Sequence, residues 1–155
     1  MDVKRELLHD HEDHEHLLGQ LALALEGTQP TAELRRCWIA FEENLLDHLD
    51  AEEHFLFTVT AQAHRLETEQ LRTEHRRIRQ SVLTLRVRLE LNTLKKQAID
   101  ELRAQLLAHG AHEERTLHRW LEIDEGIMAL RGVLAIRSRR ERSAARLRVA
   151  NKVTD

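Results

Sequence analysis

Apolar side chains recur every three or four residues in four separate stretches of this chain, and that spacing constrains its fold more than any other feature. One face of an α-helix repeats with this period, so each stretch is predicted to be a helix with an apolar stripe. With only five glycines and one proline in 155 residues, the chain is predicted to be all-α. The stripes comprise Leu7, Leu18, Leu21 and Leu25; Leu34, Trp38, Phe41, Leu45, Phe55 and Leu56; Leu71, Ile78, Val82, Leu85 and Leu89; and Leu102, Leu106, Leu117, Trp120 and Leu121.

Turn and capping residues divide the stripes. Gly27 and Pro30 separate the first helix from the second, while Asn92 and Thr93 are candidate N-caps for the fourth. Long helices joined by short loops favour an antiparallel up-and-down four-helix bundle over residues 1–126. The predicted helices cover residues 4–26, 31–58 and 65–91, followed by a fourth that ends near Gly126.

Residues 127–155 are predicted to form a basic helical C-terminal extension. Positions 131–155 carry eight Arg or Lys residues against two acidic ones, within a chain whose net charge is −3. The apolar start of this segment could pair two subunits as a homodimer, and its basic end could carry an interaction function. Nucleic-acid binding is not expected, because no aromatic residues alternate with the arginines.

The chain is predicted to be cytoplasmic. Its single cysteine, Cys37, cannot form an internal disulfide, and the first residues lack the apolar run of a signal peptide. No stretch approaches the roughly 18 apolar residues that a membrane span requires.

Several of the eleven histidines interrupt the apolar stripes. His48 and Glu52 occupy positions of the second stripe where apolar residues are expected, and His109 and Glu113 do the same in the fourth. Residues four apart lie one above the other on a helix, so each H-x-x-x-E pair can direct an imidazole and a carboxylate at one point. This spacing predicts metal ligands.

The other two stripes each contain one histidine. His75 lies between Leu71 and Ile78, and His11 has the corresponding register in the first stripe. The chain is therefore predicted to be a duplicated helical hairpin, in which each copy has one lone histidine and one H-x-x-x-E pair. A dinuclear metal centre explains this set, whereas the alternative is a metal-free network in which the glutamates bond the histidines.

The remaining histidines divide into two groups. His14 and His112 each lie three residues from a predicted ligand, so either could be an alternative ligand or could support the site from outside. The others are predicted to be exposed to solvent, and these are His9, His16, His54, His64 and His118.

The order of these motifs resembles the hemerythrin-like HHE cation-binding family. The resemblance covers about residues 4–122 and is carried by Asp10-His11, His48-Leu-Asp-Ala-Glu52-Glu53, Glu74-His75-Arg-Arg-Ile78 and His109-Gly-Ala-His-Glu113-Glu114. It implies a four-helix bundle with two iron ions joined by an oxo or hydroxo bridge, with Mn and Zn as alternatives. The implied metal ligands are His11, His48, Glu52, His75, His109 and Glu113, with the two glutamates bridging.

The same resemblance implies a function. A protein of this kind would bind, sense or reduce a small oxidant such as dioxygen, peroxide or nitric oxide, with weak peroxidase or oxidase chemistry, or handle iron under oxidative or nitrosative stress. Oxygen-carrying members have a second histidine one turn after the ligand that corresponds to His75, and here that residue is Arg79. Arg79 is predicted to reach away from the metals or to pair with a carboxylate at the edge of the site. The alternative function is a metal-stabilised interaction module that acts through the basic tail.

Overall fold

The computed structural model describes residues 3–26 and 31–123, and every regular element in these two ranges is helical. This confirms the predicted all-α class for that part of the chain. None of the helices within it is long and apolar enough to cross a membrane. Gly126 and the predicted extension over 127–155 lie outside the described residues. The elements are α1 (Val3–Glu26), α2 (Thr31–Ala51), a π-helical turn (Glu52–Leu56), α3 (Phe57–Thr60), α4 (Arg65–Glu90), α5 (Lys96–Arg115) and α6 (Leu117–Ile123).

Four long helices pack around two apolar clusters. Helix α1 contacts α2 and α5, and α4 contacts the same two helices. The larger cluster includes Leu18, Leu21, Trp38, Phe41, Leu45, Ile78, Val82, Leu85, Ile99 and Leu102. The smaller cluster consists of Leu7, Leu56, Phe57, Leu71 and Leu117. The predicted stripes supply most residues of both clusters, whereas Ile99 and Phe57 were not predicted. Along each long helix the predicted metal ligands fall between the two clusters.

The end of α4 differs from the prediction. Asn92 was predicted as an N-cap, but it adopts a left-handed conformation with φ 54° and closes α4 instead. The N–H groups of Asn92 and Thr93 donate to the carbonyls of Leu89 and Arg88 at 3.0 and 2.8 Å, which is a Schellman ending. Asparagine suits both positions, since it caps helix starts and also tolerates the left-handed region.

Two helices that were predicted to be continuous are interrupted. The second, predicted over 31–58, changes to the π-helical turn at Glu52 and continues as α3 to Thr60. The fourth breaks at Thr116, where φ is −118° and ψ is −82°, before α6 begins. Both interruptions adjoin a predicted ligand, since Glu52 opens the π turn and Glu113 lies one turn before Thr116. Single π turns inside helices are frequent at functional sites.

Candidate metal centre

The structure brings the six predicted ligands together in the interior. Five of them are buried, namely His48, Glu52, His75, His109 and Glu113, whereas the side chain of His11 is 23% exposed. They form two groups of four, in each of which one ligand atom per residue lies within 4.8 Å of the others: His11, His48, Glu52 and Glu113, and Glu52, His75, His109 and Glu113. Each helical hairpin supplies the histidines of one group, and both groups share the two glutamates. These buried groups could hold metal ions.

The histidines of each group point their Nε2 atoms at one another. The Nε2 atoms of His11 and His48 are 3.2 Å apart, and those of His75 and His109 are 3.1 Å apart. Two unprotonated imidazole nitrogens at this distance present lone pairs to each other, which is unfavourable without a cation or a proton between them.

Carboxylates hold the opposite nitrogens of three of these histidines. The Nδ1 of His48 bonds Asp10 at 2.9 Å, that of His75 bonds Glu53 at 2.9 Å, and that of His109 bonds Glu74 at 2.8 Å. An ionised carboxylate can only accept, so each Nδ1 donates its proton and the neutral tautomer leaves a lone pair on Nε2. Outer carboxylates fix metal-binding histidines in this way.

The two shared glutamates test whether these residues suit a metal. Oε1 of Glu113 lies 2.9 Å from Nε2 of His109, Oε2 lies 3.1 Å from Nε2 of His11, and the oxygens of Glu52 are 3.4 Å from His48 and His75. Despite these distances, none of the four carboxylate oxygens has a hydrogen bond of acceptable geometry among the described residues. A buried anion without a hydrogen bond is costly. Because the imidazole nitrogens and carboxylate oxygens converge on two common points, a pair of cations at those points would compensate the buried charge. A metal-free network would hold these oxygens only through ion pairs with protonated histidines, without hydrogen bonds among the described residues.

Proton release should accompany metal uptake. Burial alone would lower the pKa of His75 and of His109, but the surrounding carboxylates, Glu113 foremost, raise these pKa values to about 11 and about 9. In the metal-free protein at pH 7 this pair of imidazoles therefore holds at least one proton beyond the neutral state, and a metal must displace it.

We expect about one or more protons released per chain when both positions fill at pH 7. Since protons compete with the metal, apparent affinity should rise as the pH increases toward 9. Calorimetric titration in two buffers of different ionisation enthalpy measures the release. Identical heats in the two buffers would contradict this assignment of protons.

His11 is the least anchored of the four histidines. In the portion of the chain that the structure covers, its Nδ1 has no carboxylate partner, and its ring lies against Gly110 of α5. A Cβ at Gly110 would come within 3.2 Å of Nδ1. Glycine at this position therefore allows α5 to approach the His11 ring closely.

Replacing Gly110 with alanine should have opposite effects on metal binding and on the metal-free fold. The added methyl should displace His11 and weaken binding at the His11–His48 position by about tenfold, whereas alanine should stabilise the helix by up to about 1 kcal/mol. Chelator-competition titration and thermal unfolding measure the two effects. Gly19→Ala is the matched control, because a Cβ there meets nothing within 4 Å. Equal metal affinity in the two variants would show that His11 does not depend on Gly110.

Arg79 pairs with carboxylates at the edge of the site, as predicted. Its guanidinium donates to Glu53 at 2.6 Å and to Asp50 at 2.5 Å. The hydrogen bond from His75, together with Arg79, lowers the pKa of Glu53 to about 2. Arg79 thus keeps Glu53 ionised and directed at His75.

Removing Glu53 should weaken metal binding although it is not a ligand. In Glu53→Ala the Nδ1 of His75 loses its acceptor, and we expect metal affinity to fall by about 10- to 100-fold. Glu67→Ala, an exposed change on α4, is the control. Metal titration of both variants measures the effect, and unchanged affinity in Glu53→Ala would mean that the Glu53–His75 bond does not orient the imidazole.

Other histidines divide differently from the prediction. His118 was predicted to be exposed and is fully buried, so that prediction is wrong. His14 is buried, bonds Asn44 at 2.9 Å and belongs to neither group of four, while burial lowers its pKa well below the usual value. His112 bonds Glu74 at 2.7 Å and so shares the carboxylate that holds His109.

The histidines away from the site mostly agree with the prediction. His9, His16 and His54 are exposed as predicted, whereas His64 is partly buried and stacks on Trp120.

A cavity of about 280 Å³, lined by residues of α1, α2 and α5, reaches four histidines, His11, His14, His48 and His109. Its inner wall is apolar and includes Leu18, Leu45 and Leu49, while Glu15 and Glu114 lie at the outer end. One water molecule occupies roughly 30 Å³ of liquid volume, so the cavity can admit a small molecule to the His11–His48 position.

Comparison of the chain with protein-family models, with curated proteins and with solved structures finds no match.

Proposed function

We propose that this chain is a hemerythrin-like non-haem di-iron protein that binds, senses or reduces a small oxidant such as dioxygen, peroxide or nitric oxide. In this proposal α1, α2, α4 and α5 form an antiparallel four-helix bundle. Glu52 and Glu113 bridge the two ions, and the histidines complete the protein ligands.

The observation that carries the proposal is the sharing of two buried carboxylates between two histidine pairs. Four carboxylate oxygens with no hydrogen bond in the described ranges, and two pairs of Nε2 atoms facing each other at 3.1 and 3.2 Å, have a common explanation in two bound cations. The outer carboxylates Asp10, Glu53 and Glu74 support it, since they fix the tautomer that metal binding requires. The bundle is supported by the packing of α1 and α4, each against both α2 and α5.

The donor set and its surroundings favour ligand chemistry over a purely structural role. A mixed imidazole and carboxylate set suits iron, manganese and zinc, and the motif order favours iron. Four protein donors for each ion leave further coordination positions open, because Arg79 stands where oxygen carriers have a histidine. Iron in such a site would supply reversible one-electron chemistry to a small ligand. The residues of the chain hold the ions, direct the imidazoles and provide the cavity by which a small molecule arrives.

Metal analysis combined with absorption spectra of anaerobic and aerated protein tests this function. We expect iron at two ions per chain and a near-ultraviolet absorption that disappears on reduction and returns with oxygen or peroxide. A colourless protein that contains zinc and does not respond to reductant would contradict the oxidant function. The metal would then have only a structural role.

A further inference from the structure

His118 is a buried imidazole without a hydrogen-bond partner. Its exposure is 0%, and neither Nδ1 nor Nε2 has a bond to any group in the ranges that the structure describes. Buried polar side chains nearly always have a partner in the protein or in bound solvent. A partner that is not part of the polypeptide is therefore expected beside this ring.

The ring lies next to the candidate metal centre. Its centroid is 6.2 Å from that of His11, with the two planes inclined by 16°. It is also within electrostatic reach of the shared carboxylates Glu113 and Glu52. His118 belongs to neither group of four converging residues, so it lies beside the metal positions and is not one of the six ligands.

The break at Thr116 accounts for this location. A continuous helix turns by about 100° per residue, so position 118 would face about 140° away from Glu113. Because α5 ends at Arg115 and α6 begins at Leu117, both Leu117 and His118 are buried instead. The stacking of Trp120 on His64, at 4.0 Å and 2°, fixes α6 against the residue that precedes α4.

We propose that His118 hydrogen-bonds the small non-protein ligand of the metal pair, which is water or hydroxide at rest and an oxidant or a small anion in its place. The proposal rests on the di-metal function proposed above. Each position receives two imidazole nitrogens and two carboxylate oxygens from the chain, so a five- or six-coordinate ion must take such a ligand. A neutral imidazole offers one donor and one acceptor. Its N–H can donate to a bound hydroxide, hydroperoxide or azide, and its other nitrogen can accept from hydroxide or hydroperoxide.

Azide binding to the cobalt(II)-loaded protein tests the role of His118. Cobalt occupies imidazole and carboxylate sites, and its visible bands change when an added ligand binds, so the test does not depend on redox activity. The variants are His118→Leu, which fills the space without a donor, and His118→Gln, which keeps an N–H donor. The control is His16→Leu, an exposed change on α1. Metal content and unfolding temperature are measured for each.

We expect all four proteins to hold two cobalt ions and to unfold at similar temperatures. In His118→Leu an apolar side chain replaces an imidazole that has no hydrogen-bond partner, so little stability should be lost. Azide affinity should fall by about tenfold in His118→Leu, fall less in His118→Gln and remain unchanged in His16→Leu. Wild-type azide affinity in His118→Leu would overturn the proposal, as would loss of cobalt from that variant, which would make His118 a ligand or a structural residue. Failure of the wild type to hold two ions would instead contradict the proposed function.

Discussion

Replacing Glu113 with alanine is expected to remove both metal ions from the protein, not one. One oxygen of this carboxylate lies 2.9 Å from Nε2 of His109 and the other lies 3.1 Å from Nε2 of His11, so it serves both positions. Removing one member of a buried charged set typically costs about 3–5 kcal/mol, which is roughly a thousandfold in affinity at each position. Glu52→Ala should behave in the same way.

The adjacent residue provides the control for this substitution. Glu114 is exposed and belongs to neither group, so Glu114→Ala should retain two ions per chain. Metal analysis after gel filtration compares the variants at equal protein concentration. Retention of one ion in Glu113→Ala would show that the carboxylate is a terminal ligand, and retention of both would remove it from the site.

Removing the metal from the wild type is expected to lower its unfolding temperature by about 10 °C. At a free metal concentration of 1,000 times Kd, binding to the folded state adds about 4 kcal/mol to the free energy of unfolding. Each kcal/mol raises the unfolding temperature of a chain of this size by about 2–4 °C. The carboxylates of Glu52 and Glu113, which have no hydrogen bonds in the described structure, are then compensated only by protonated imidazole and no longer by metal ions.

Calorimetric scans of protein treated with a chelator, and of the same sample after metal is restored, measure the difference. Glu113→Ala should unfold at one temperature with or without chelator, since it holds little metal. A wild-type transition that chelation leaves unchanged would contradict a metal site at these residues, because it would mean that the buried glutamates gain no stability from metal ions.

The apolar stripes were enough to predict the all-α class and which residues would meet. His48 stands on the inward stripe of α2 and Glu52 on its continuation in the π-helical turn, while His109 and Glu113 stand on that of α5. Their convergence follows from helical spacing and the packing of stripes. The correspondence between the two predicted helical hairpins added the lone histidines, His11 and His75, to the predicted ligands.

The outer carboxylates could not be predicted in the same way. Asp10, Glu53 and Glu74 each adjoin a ligand in sequence, yet each bonds a histidine on the next helix. Their partners depend on how neighbouring helices are rotated and displaced, which periodicity along one helix does not determine. Adjacency to a ligand was the only signal available.

Helix interruptions account for the remaining errors. The π-helical turn at Glu52 and the break at Thr116 change the direction of the residues that follow, and neither is marked by glycine or proline. His118 was predicted to be exposed at a flanking position of the fourth helix, and this was wrong because α5 ends before Thr116 and the two residues that follow Thr116 are buried. Local backbone changes of this kind are a result of packing between helices.

Anomalous diffraction from crystals of the metal-loaded protein should give two metal peaks about 3.5–4 Å apart, one between His11 and His48 and one between His75 and His109, with Glu52 and Glu113 contacting both. A single peak, or peaks at other histidines with none between these pairs, would contradict a dinuclear centre built from the six residues.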